Sequence, residues 1–506
     1  MPQAESIYPD RERISLGVPG LDDILNGGLP SGHLYLIEGD PGTGKTTIAL
    51  QFLLEGQRIG EKGLHVTLSE SNAELLAVAE SHGWSLGDLS IYEMTPEESS
   101  LNPEEQYTVF HPSEVELADT LTAVLKHVEA INPKRIVFDS LAELRMLSRD
   151  PLRYRRQVLA LKRYFNGRDC TVLLLDDSGT DGRDMQLRSI AHGVIILQSL
   201  DRDYGVKRRR LEVRKLRGSR YREGFHDFNM YTGGIAVIPR LVASEHKPGF
   251  QPHVISSGLA ELDQLIGGGI DAGTSTLIMG PAGCGKSSVA IRYALAAARR
   301  GDAATIFAFD ESIASIKHRA AGLGMDLEPY IQSGHIHLQQ IDPAELSPGE
   351  FVAAVQNAVE KLDAAVLVID SINGLLASMP DDRFLALQLH ELLTYLGQQG
   401  VATILTIAQH GLLGSNMDSP IDVSYLADAV VLCRYFEYKG ELRKAISVMK
   451  KRSGTHERSI RELIMENNEM RVGGTLSEFE GVLTGIPRFT GVHSDLVKGE
   501  DDLSAS

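Results

Sequence analysis

The sequence predicts an α/β protein built from two similar domains in tandem, each a mainly parallel sheet flanked by helices. Two observations carry this prediction. The phosphate-binding pattern G-x-x-x-x-G-K-[ST] occurs twice, at residues 39–46 and 280–287, and its lysines lie 241 positions apart (286 − 45). Before each loop the chain repeats the same lead-in, at 14–32 and 255–273, with the same offset. A constant offset across two features indicates an internal duplication.

The elements of the first half come in the order that a parallel sheet needs. A short apolar strand at 34–38 leads into the first loop, and a helix with apolar residues at helical spacing runs from Lys45 to about Gly60. Strands that alternate with helices require right-handed crossovers and therefore a parallel sheet. Further apolar runs, typical of buried parallel strands, follow at 63–68, 134–139 and 170–175.

The second half repeats this order. A helix is predicted from Lys286 to about Arg300. The strands are predicted at 275–279, 304–309, 365–370 and 401–406. Arginine-rich, alternating segments near 204–217 and 434–452 are typical of hairpins and predict that each half ends in antiparallel strands.

The domain boundaries follow from the repeat and from local composition. A chain of 506 residues is too long for one hydrophobic core. Polar ends without periodicity and the Lys-Pro-Gly stretch at 247–249 predict tails and a linker. We expect an N-terminal tail at 1–13, a first domain at 14–246, a linker at 247–253, a second domain at 254–485 and a mobile tail at 486–506.

Composition limits the function classes. The 68 acidic and 50 basic residues give a net charge of −18, which disfavours binding to nucleic acid. No run of about 18 apolar residues occurs, so the sequence does not predict a membrane span. Three cysteines without a disulfide pattern predict a reducing, cytoplasmic location. The basic run Lys207 to Arg210 is read as an exposed hairpin edge or as a local basic stripe.

The two loops predict ATP sites with Mg²⁺. Glycines let the backbone wrap around phosphate oxygens, the lysine reaches the β- and γ-phosphates, and the Thr or Ser hydroxyl holds the metal ion. The residues expected to contact nucleotide are Gly39, Gly42, Thr43, Gly44, Lys45, Thr46 and Thr47 in the first half, and Gly280, Gly283, Cys284, Gly285, Lys286, Ser287 and Ser288 in the second.

Two aspartates are candidate metal residues. Asp139 and Asp370 each end an apolar strand, and the carboxyl edge of a parallel sheet is where ligands bind. The metal sets are therefore Thr46 with Asp139 and Ser287 with Asp370. A plain turn-forming role is the alternative for both aspartates.

Two glutamates are candidate catalytic bases. Glu70 and Glu311 each follow the loop lysine by 25 residues and come just after the second strand. A group that orients or deprotonates water is needed for hydrolysis. The preceding residues differ, Ser69 in one half and Asp310 in the other, so we expect the chemistry of the halves to differ. Surface charge is the alternative. The catalytic set is Lys45, Glu70, Lys286, Asp310 and Glu311.

A Lys-x-Arg pair repeats in the late hairpins. It comprises Lys215 with Arg217 and Lys450 with Arg452. In a ring of subunits, such cations can act on a neighbour's γ-phosphate as trans-acting fingers. Solvated hairpin charges are the alternative.

The tandem RecA-like halves, the Ser-x-Gly-x-x-x-Leu-Asp lead-ins and the Lys-Leu-Arg-Gly segment at 215–218 resemble the KaiC family over about residues 12–485. The resemblance implies two RecA-like P-loop NTPase domains in a homohexameric double ring with ATP at subunit interfaces. It implies slow ATP hydrolysis in the first ring and autokinase with autophosphatase activity in the second. It adds nucleotide contacts at Ser81, Lys215, Leu216, Arg217 and Ser219, and at Lys450, Arg452 and His456.

Three departures from the family pattern shape the expected activity. The family's paired glutamates fall on Ser69-Glu70 and Asp310-Glu311, so we expect the first ring to differ in rate. The family's phosphorylated Ser-Thr pair falls on Ser424 and Tyr425, with Ser419 near an auxiliary threonine. Ser424 is the expected phosphosite, and Tyr425 and Ser419 are weaker candidates. The C-terminal tail differs, so a KaiA-like partner is not expected, whereas a KaiB-like partner remains compatible.

The expected function is that of an ATP-driven homohexamer with a serine phosphorylation switch, acting as a clock, timer or signalling component. Two alternatives remain open. One is a DNA-dependent ATPase of the RecA or RadA type, which single-stranded DNA would stimulate. The other is a nucleotide-gated scaffold with little turnover, which the replacement of a carboxylate by Ser69 would suit.

Overall fold

A computed structural model describes residues 12–94, 112–148, 151–177, 185–201, 205–246, 249–377, 382–409, 423–466, 468–482 and 488–490. The chain divides into two compact units, Met1–Arg240 and Leu241–Ser506. None of the helices in these ranges is both long and apolar enough to cross a membrane.

The first unit contains eleven described strands and seven described α-helices. The strands are β1 Arg13–Ile14, β2 Leu29–Pro30, β3 Leu34–Gly39, β4 Gly63–Thr67, β5 Ser90–Glu93, β6 Arg135–Asp139, β7 Thr171–Asp177, β8 Gly193–Leu200, β9 Arg208–Leu216, β10 Phe225–Tyr231 and β11 Gly234–Ile238. The helices are α1 Leu21–Ile24, α2 Lys45–Arg58, α3 Asn72–Ser81, α4 Pro112–Ile131, α5 Leu141–Ser148, α6 Pro151–Phe165 and α7 Met185–Ile190.

The second unit repeats this succession. Its described strands are β12 Val254–Ile255, β13 Ile270–Asp271, β14 Ser275–Gly280, β15 Ala303–Ala308, β16 Ile336–Gln340, β17 Ala364–Asp370, β18 Ala402–Ala408, β19 Ala429–Tyr438, β20 Glu441–Lys451, β21 Arg461–Glu466, β22 Glu469–Thr475, β23 Phe479–Glu480 and β24 Arg488–Phe489. Its helices are α8 Ala260–Leu265, α9 Lys286–Arg300, α10 Ile313–Ala321, α11 Glu328–Gln332, α12 Pro348–Glu360, α13 Ile372–Ala377 and α14 Asp382–Gln398.

Each unit is built around one nine-stranded sheet. The order is β11-β10-β9-β8-β3-β7-β6-β4-β5 in the first and β16-β15-β17-β18-β14-β19-β20-β21-β22 in the second. Six strands of each sheet are parallel, and three antiparallel strands extend one side. The predicted fold class, two tandem RecA-like P-loop domains with mainly parallel sheets, is confirmed.

The apolar strands are buried because helices cover both faces of the parallel part. In the first unit, Ile48 and Phe52 of α2 pack on one face, and Val124 and Val158 of α4 and α6 pack on the other. This two-sided burial explains why the central strands are continuous apolar runs rather than alternating ones.

The repeated lead-in has a local structural cause. Ser15 Oγ donates to Asp22 Oδ2 at 2.6 Å, and the Leu16 amide donates to Asp22 Oδ1 at 3.0 Å. In the second unit, Asp263 accepts the same pair of bonds from Ser256 Oγ and the Ser257 amide. The aspartate thus closes the turn before each short helix, which fixes the spacing of Ser and Asp in both copies.

The basic run Lys207 to Arg210 does not form a sheet edge, contrary to one of the readings above. It enters β9, which is paired with β8 on one side and β10 on the other. Arg208 pairs with Asp227 at 3.1 Å, and the guanidinium of Arg210 lies over the Phe225 ring at 3.9 Å. We therefore interpret this segment as part of an added antiparallel strand of the sheet, not as a protected sheet edge.

Residues just after Arg240 pack with the second unit. Leu241 and Ala243 belong to a core cluster of that unit, and the Ala243 amide donates to Glu391 Oε2 at 3.0 Å. A single 3-10 turn, Ala243–Glu245, follows β11.

Candidate ATP sites

The first phosphate loop joins β3 to α2 in the middle of the sheet. Gly44 precedes the helix with φ +99, a conformation that favours glycine, and Lys45 begins the helix. Lys45 Nζ donates to the carbonyls of Gly39 at 2.7 Å and Asp40 at 3.1 Å, and pairs with Asp177 Oδ1 at 2.9 Å. The ammonium therefore lies inside its own loop, where phosphate oxygens would replace these partners.

Thr46 and Asp139 are in direct contact. Thr46 Oγ1 donates to Asp139 Oδ2 at 2.8 Å. Burial raises the pKa of Asp139, while the Thr46 bond and the Lys45 charge act against that rise. A hydroxyl and a carboxylate in contact at the end of a phosphate loop are oxygen donors that suit Mg²⁺.

Glu70 lies on the segment that follows β4, at the same edge of the sheet. Its backbone is fixed by Thr67, whose Oγ1 donates to the Glu70 carbonyl at 2.6 Å and accepts from the Glu70 amide at 3.0 Å. Its carboxylate oxygen Oε2 is buried and has no hydrogen-bond partner among the described residues. Burial raises the pKa of Glu70, and the charges of Asp139 and Glu74 add to the rise. Such a carboxylate is a stronger proton acceptor than an exposed one.

The second phosphate loop joins β14 to α9 in the same way. Gly285 has φ +106, and Lys286 Nζ donates to the Pro281 carbonyl at 2.7 Å. Cys284 of this loop and Cys433 of β19 are both buried in one core cluster. The hydrogen bond from the Cys433 thiol is the main cause that lowers the pKa of Cys284 to about 7, and the Lys286 ammonium adds to it.

The carboxylates of the second site have different partners from those of the first. Asp370 Oδ1 accepts a hydrogen bond from Thr406 Oγ1, and Asp310 Oδ2 accepts one from Ser371 Oγ. Ser371 directly follows Asp370, so the structure brings Asp310 next to the candidate metal residue.

Glu311 is tied to Arg319 of α10. Arg319 donates from Nη2 to Glu311 Oε2 at 2.6 Å and from Nε to Oε1 at 3.3 Å, while Ser315 Oγ donates to Oε1 at 2.8 Å. Burial by itself raises the pKa of Glu311, but the bonds and charge of Arg319 and the bond from Ser315 outweigh it and lower the pKa.

The Lys-x-Arg pairs lie away from the phosphate loop of their own domain. Leu216 pairs with Gly193 at the start of β8, whereas Gly39 at the end of β3 pairs with Leu197. Lys215 and Arg217 therefore lie at the amino edge of the parallel strands. Lys215 Nζ donates to the carbonyls of Arg188 and Ala191, and Arg217 donates to Ser189. Burial lowers the pKa of Lys215 to about 8.

The second domain has the same arrangement next to Ser424. Lys450 Nζ donates to the carbonyls of Ser424 at 3.2 Å and Ala427 at 2.8 Å, and Arg452 Nη2 donates to the Tyr425 carbonyl at 2.7 Å. The Lys-x-Arg pair thus holds the backbone of the segment that carries the expected phosphosite.

Ser424 also lies at the edge opposite its own phosphate loop. It precedes β19, which runs parallel to β14, and Ala429 pairs with Thr276 near the start of β14. The loop follows the other end of β14. Six residues of strand separate the two edges, about 20 Å at about 3.3 Å per residue.

A cavity of about 390 Å³ opens beside Ser424. Its lining includes Arg434, Met449 and Lys450. Tyr425 is 56% exposed. Ser419 lies outside the described residues.

The remaining candidates lie at the periphery of the sites. Ser81 ends α3 and its Oγ donates to the Val78 carbonyl at 2.7 Å. Ser219 accepts a bond from Arg13 Nη2 at 3.3 Å. His456 follows β20 in an irregular segment and is partly exposed. These contacts do not bring the three residues to the loop lysines.

Sequence reasoning missed Asp177 and His65. Asp177 ends β7 and contacts Lys45, and a polar residue at the end of an apolar strand was the available signal. His65 is fully buried on β4, where burial lowers its pKa to about 4, and its Nε2 lies 3.8 Å from Asp139 Oδ2. The described residues contain no group of three or more His, Cys, Asp or Glu side chains that could hold a metal ion.

Known proteins are similar to this chain in sequence over nearly its whole length. The family described as "ATPase: KaiC" matches residues 14–242 and 255–476. The circadian clock oscillator protein KaiC of Prochlorococcus marinus (strain MIT 9313) is 27% identical over 496 residues, covering 94% of this chain and 95% of the relative. The proteins of the same name from Parasynechococcus marenigrum and Picosynechococcus are 26% and 28% identical, covering 96% and 94% of this chain and 95% and 92% of the relatives. With both phosphate-loop domains matched, the chain belongs to the KaiC family of ATPases.

Proposed function

We propose that the protein is a homohexameric ATPase and serine autokinase, in which the second domain of one subunit phosphorylates Ser424 of its neighbour. The observation that carries this proposal is the position of Ser424 at the sheet edge opposite its own phosphate loop. A γ-phosphate held at Lys286 is too far away to reach Ser424 of the same domain, since about 20 Å of strand intervenes. A second copy must therefore bring donor and acceptor together.

A head-to-tail ring meets this requirement. When the loop edge of one subunit faces the Ser424 edge of the next, every subunit is both donor and acceptor, and such an interface closes into a ring. The cavity beside Ser424 and the cations Lys450 and Arg434 at its wall suit a phosphate donor arriving from outside. The Lys-x-Arg pairs lie at this same edge in both domains, which supports their action on a neighbour's nucleotide. Six subunits follow the family resemblance.

The first domain is proposed to hydrolyse ATP with Glu70 as the base. The unpartnered oxygen and raised pKa of Glu70 support proton transfer from water despite Ser69 in the preceding position. Lys45 would bind the β- and γ-phosphates, and Thr46 with Asp139 would hold Mg²⁺. When bound, Mg²⁺ neutralises charge on the phosphate oxygens.

The second domain is proposed to transfer phosphate to serine and to remove it again. Asp310, held by Ser371 beside the candidate metal residue Asp370, is placed to accept the proton of an incoming serine hydroxyl. Lys450 and Arg452 would keep the acceptor segment in one conformation. The names of the relatives support a clock or timer role. A cytoplasmic location and a KaiB-like partner are proposed from the sequence alone; a KaiA-like partner and nucleic acid are not part of the proposal.

The test is a phosphosite map after incubation of the full chain with Mg-ATP. Phosphoserine is expected at Ser424 and should disappear in both Ser424→Ala and Lys286→Ala. The Lys45→Ala chain is the matched control, because it removes the equivalent lysine of the other domain and should keep the phosphate on Ser424. An unmodified Ser424 in the wild-type chain, with ATP bound, would reject the kinase proposal and favour a scaffold.

Mixing two inactive chains tests transfer between subunits. Ser424→Ala chains carry an intact donor site, and Lys286→Ala chains carry an intact acceptor. When subunits exchange to form mixed rings, phosphoserine should therefore appear at Ser424 of the Lys286→Ala chains. An Asp310→Asn chain replaces Lys286→Ala if the latter fails to assemble. Absence of phosphate in mixed rings that mass measurement shows to have formed would contradict transfer between neighbours. Stimulation of ATP hydrolysis by single-stranded DNA would instead favour the recombinase-type alternative.

A further inference from the structure

The two candidate base glutamates occupy equivalent positions but have different partners. Glu311 receives two hydrogen bonds from the Arg319 guanidinium, at 2.6 and 3.3 Å, and a third from Ser315. Both of its carboxylate oxygens are therefore occupied. Glu70 has one buried oxygen without a hydrogen-bond partner, and no salt bridge reaches it in the described part of the first domain.

Arg319 also connects this pair to the phosphate-loop helix. Its Nη1 donates to Ser288 Oγ at 2.8 Å, and Ser288 comes directly after Ser287. The guanidinium thus joins α10, the Glu311 segment and the first turn of α9. A planar guanidinium can hold three partners at once in fixed directions, which a lysine ammonium on a flexible stem does less well.

The first domain has no counterpart of this arginine. The offset of 241 places Val78 at the position of Arg319 and Thr47 at that of Ser288. Val78 packs against Leu50 and Ala79 in a small apolar cluster. The residue at this position of the two helices therefore decides whether the glutamate has an arginine partner.

We propose that Arg319 is a positioning residue that withholds Glu311 from water activation, so that the second domain transfers phosphate to protein rather than to water. This inference depends on the proposed function of the second domain. Its physical basis is that a carboxylate with both oxygens in charge-assisted hydrogen bonds is a poor proton acceptor. The first domain, with Val78, keeps its glutamate available for hydrolysis.

The step that Arg319 restrains is the attack of water on ATP. A carboxylate oxygen of Glu311 would take one proton from water while the water oxygen forms a bond to the γ-phosphorus. The bond from the γ-phosphorus to the β–γ bridging oxygen breaks, and its electron pair leaves with ADP. The products are ADP and phosphate, and the proton passes from Glu311 to solvent. Transfer to Ser424 uses the serine hydroxyl in place of water: Ser424 Oγ bonds to the γ-phosphorus, ADP leaves with the electron pair of the broken bond, and the hydroxyl proton passes to Asp310. Glu311 stays ionised.

The test uses full-length Lys45→Ala/Ser424→Ala chains, which lack the loop lysine of the first domain and the expected phosphosite, so that water is the expected acceptor at the second domain. Adding Arg319→Val should raise phosphate release about three- to tenfold, a change in activation free energy of up to about 1.4 kcal/mol. Arg319→Lys should release phosphate more slowly than Arg319→Val, because a lysine restores part of the charge beside Glu311. In chains that retain Ser424, Arg319→Val should increase the ratio of released phosphate to phosphoserine, a ratio that a general loss of folding would not raise.

Lys317→Val is the matched control, because it removes an ion pair with Glu328 from the same helix without touching Glu311. This control should change neither the rate of phosphate release nor the ratio of released phosphate to phosphoserine. The reciprocal change, Val78→Arg in a Lys286→Ala chain, should slow hydrolysis by the first domain.

If Arg319→Val leaves phosphate release and the ratio of released phosphate to phosphoserine unchanged while Ser424 is still phosphorylated, the proposed role of Arg319 is wrong but the proposed autokinase activity stands. Should Lys45→Ala chains bind ATP and form no phosphoserine, the proposed function itself fails.

Discussion

At the scale of single residues, the two domains share their nucleotide loops and differ in the carboxylates around them. Lys45 and Lys286 both fold back onto carbonyls of their own loops. Glu70, by contrast, has one buried oxygen without a hydrogen-bond partner among the described residues, whereas Glu311 is held by an arginine. Solvation and partner charge, rather than residue type, therefore set the proton affinity of the two glutamates.

We expect Glu70→Gln to abolish hydrolysis by the first domain. In a Lys286→Ala chain, which silences the second domain, phosphate release should fall by about 100-fold or more, because an amide cannot accept the proton of water. Glu80→Gln on the exposed face of α3 is the control and should have little effect. Equal rates for Glu70→Gln and its parent chain would remove Glu70 from the mechanism.

The pH dependence of the same reaction follows from the raised pKa of Glu70. The ionised form is the base, so the rate should fall as pH decreases through that pKa. Because burial raises the pKa of Glu70, the rate should fall at a pH above 4.5, which is the pKa of an ordinary glutamate. A pH–rate profile of the Lys286→Ala chain measures this, and a rate that stays constant down to the ordinary value would contradict it.

At the scale of elements, buried Arg135 at the start of β6 ties the lead-in to the phosphate-loop helix. Its Nη1 donates to the carbonyls of Ser15 at 2.7 Å and Phe52 at 2.8 Å, and its Nε donates to Glu61 at 2.6 Å. The guanidinium also lies 4.8 Å from the Phe52 ring centroid. A single side chain thereby connects the lead-in, the helix and the sheet.

Arg135→Ala should lower the free energy of unfolding of the first domain by about 3 kcal/mol. The change removes the arginine bonds to the Ser15 and Phe52 carbonyls, leaves Glu61 without its partner and removes the packing of a long side chain. Denaturant unfolding of the full chain, followed by a probe in the first domain such as the single tryptophan Trp84, measures the loss. The neighbouring Lys134→Ala removes only an exposed pair with Asp169 and should cost below about 1 kcal/mol. Similar losses for both variants would contradict this account.

At the scale of the whole molecule, each domain presents a nucleotide loop at one edge of its sheet and a Lys-x-Arg pair at the other. Neither edge completes a site within its own domain. A closed ring is the simplest assembly in which every loop meets a partner edge. In the proposed ring, the duplication gives two sites for each subunit, and we expect their divergent carboxylates to separate hydrolysis from phosphate transfer.

ATP should therefore control assembly. Six copies of the 55.2 kDa chain give a mass of about 331 kDa, which light scattering after size exclusion would detect with Mg-ATP. Without nucleotide, or in a Lys45→Ala/Lys286→Ala chain, smaller species are expected because the interfaces lose their bridging ligand. A mass that is the same with and without ATP would contradict ligand-bridged assembly.

The sequence by itself determined the tandem α/β architecture and both phosphate loops, and it predicted a strand-end aspartate for each loop. These features depend on local patterns, since glycine spacing, apolar strand runs and the offset of 241 are all visible along the chain. It also placed Glu70 and Glu311 at matching positions, and it predicted different chemistry in the two halves from Ser69 and Asp310.

Only the tertiary structure decided which carboxylates are available and which edge of the sheet each residue occupies. Arg319 meets Glu311 across eight residues of chain, and Asp177 meets Lys45 across 132 (177 − 45). The edge occupied by Ser424 follows from the pairing of β14 with β19, which lie some 150 residues apart in sequence. Proton affinity depends on burial and on neighbouring charges, and strand order depends on which strands pair. Both are properties of residues brought together by folding, so no local pattern encodes them.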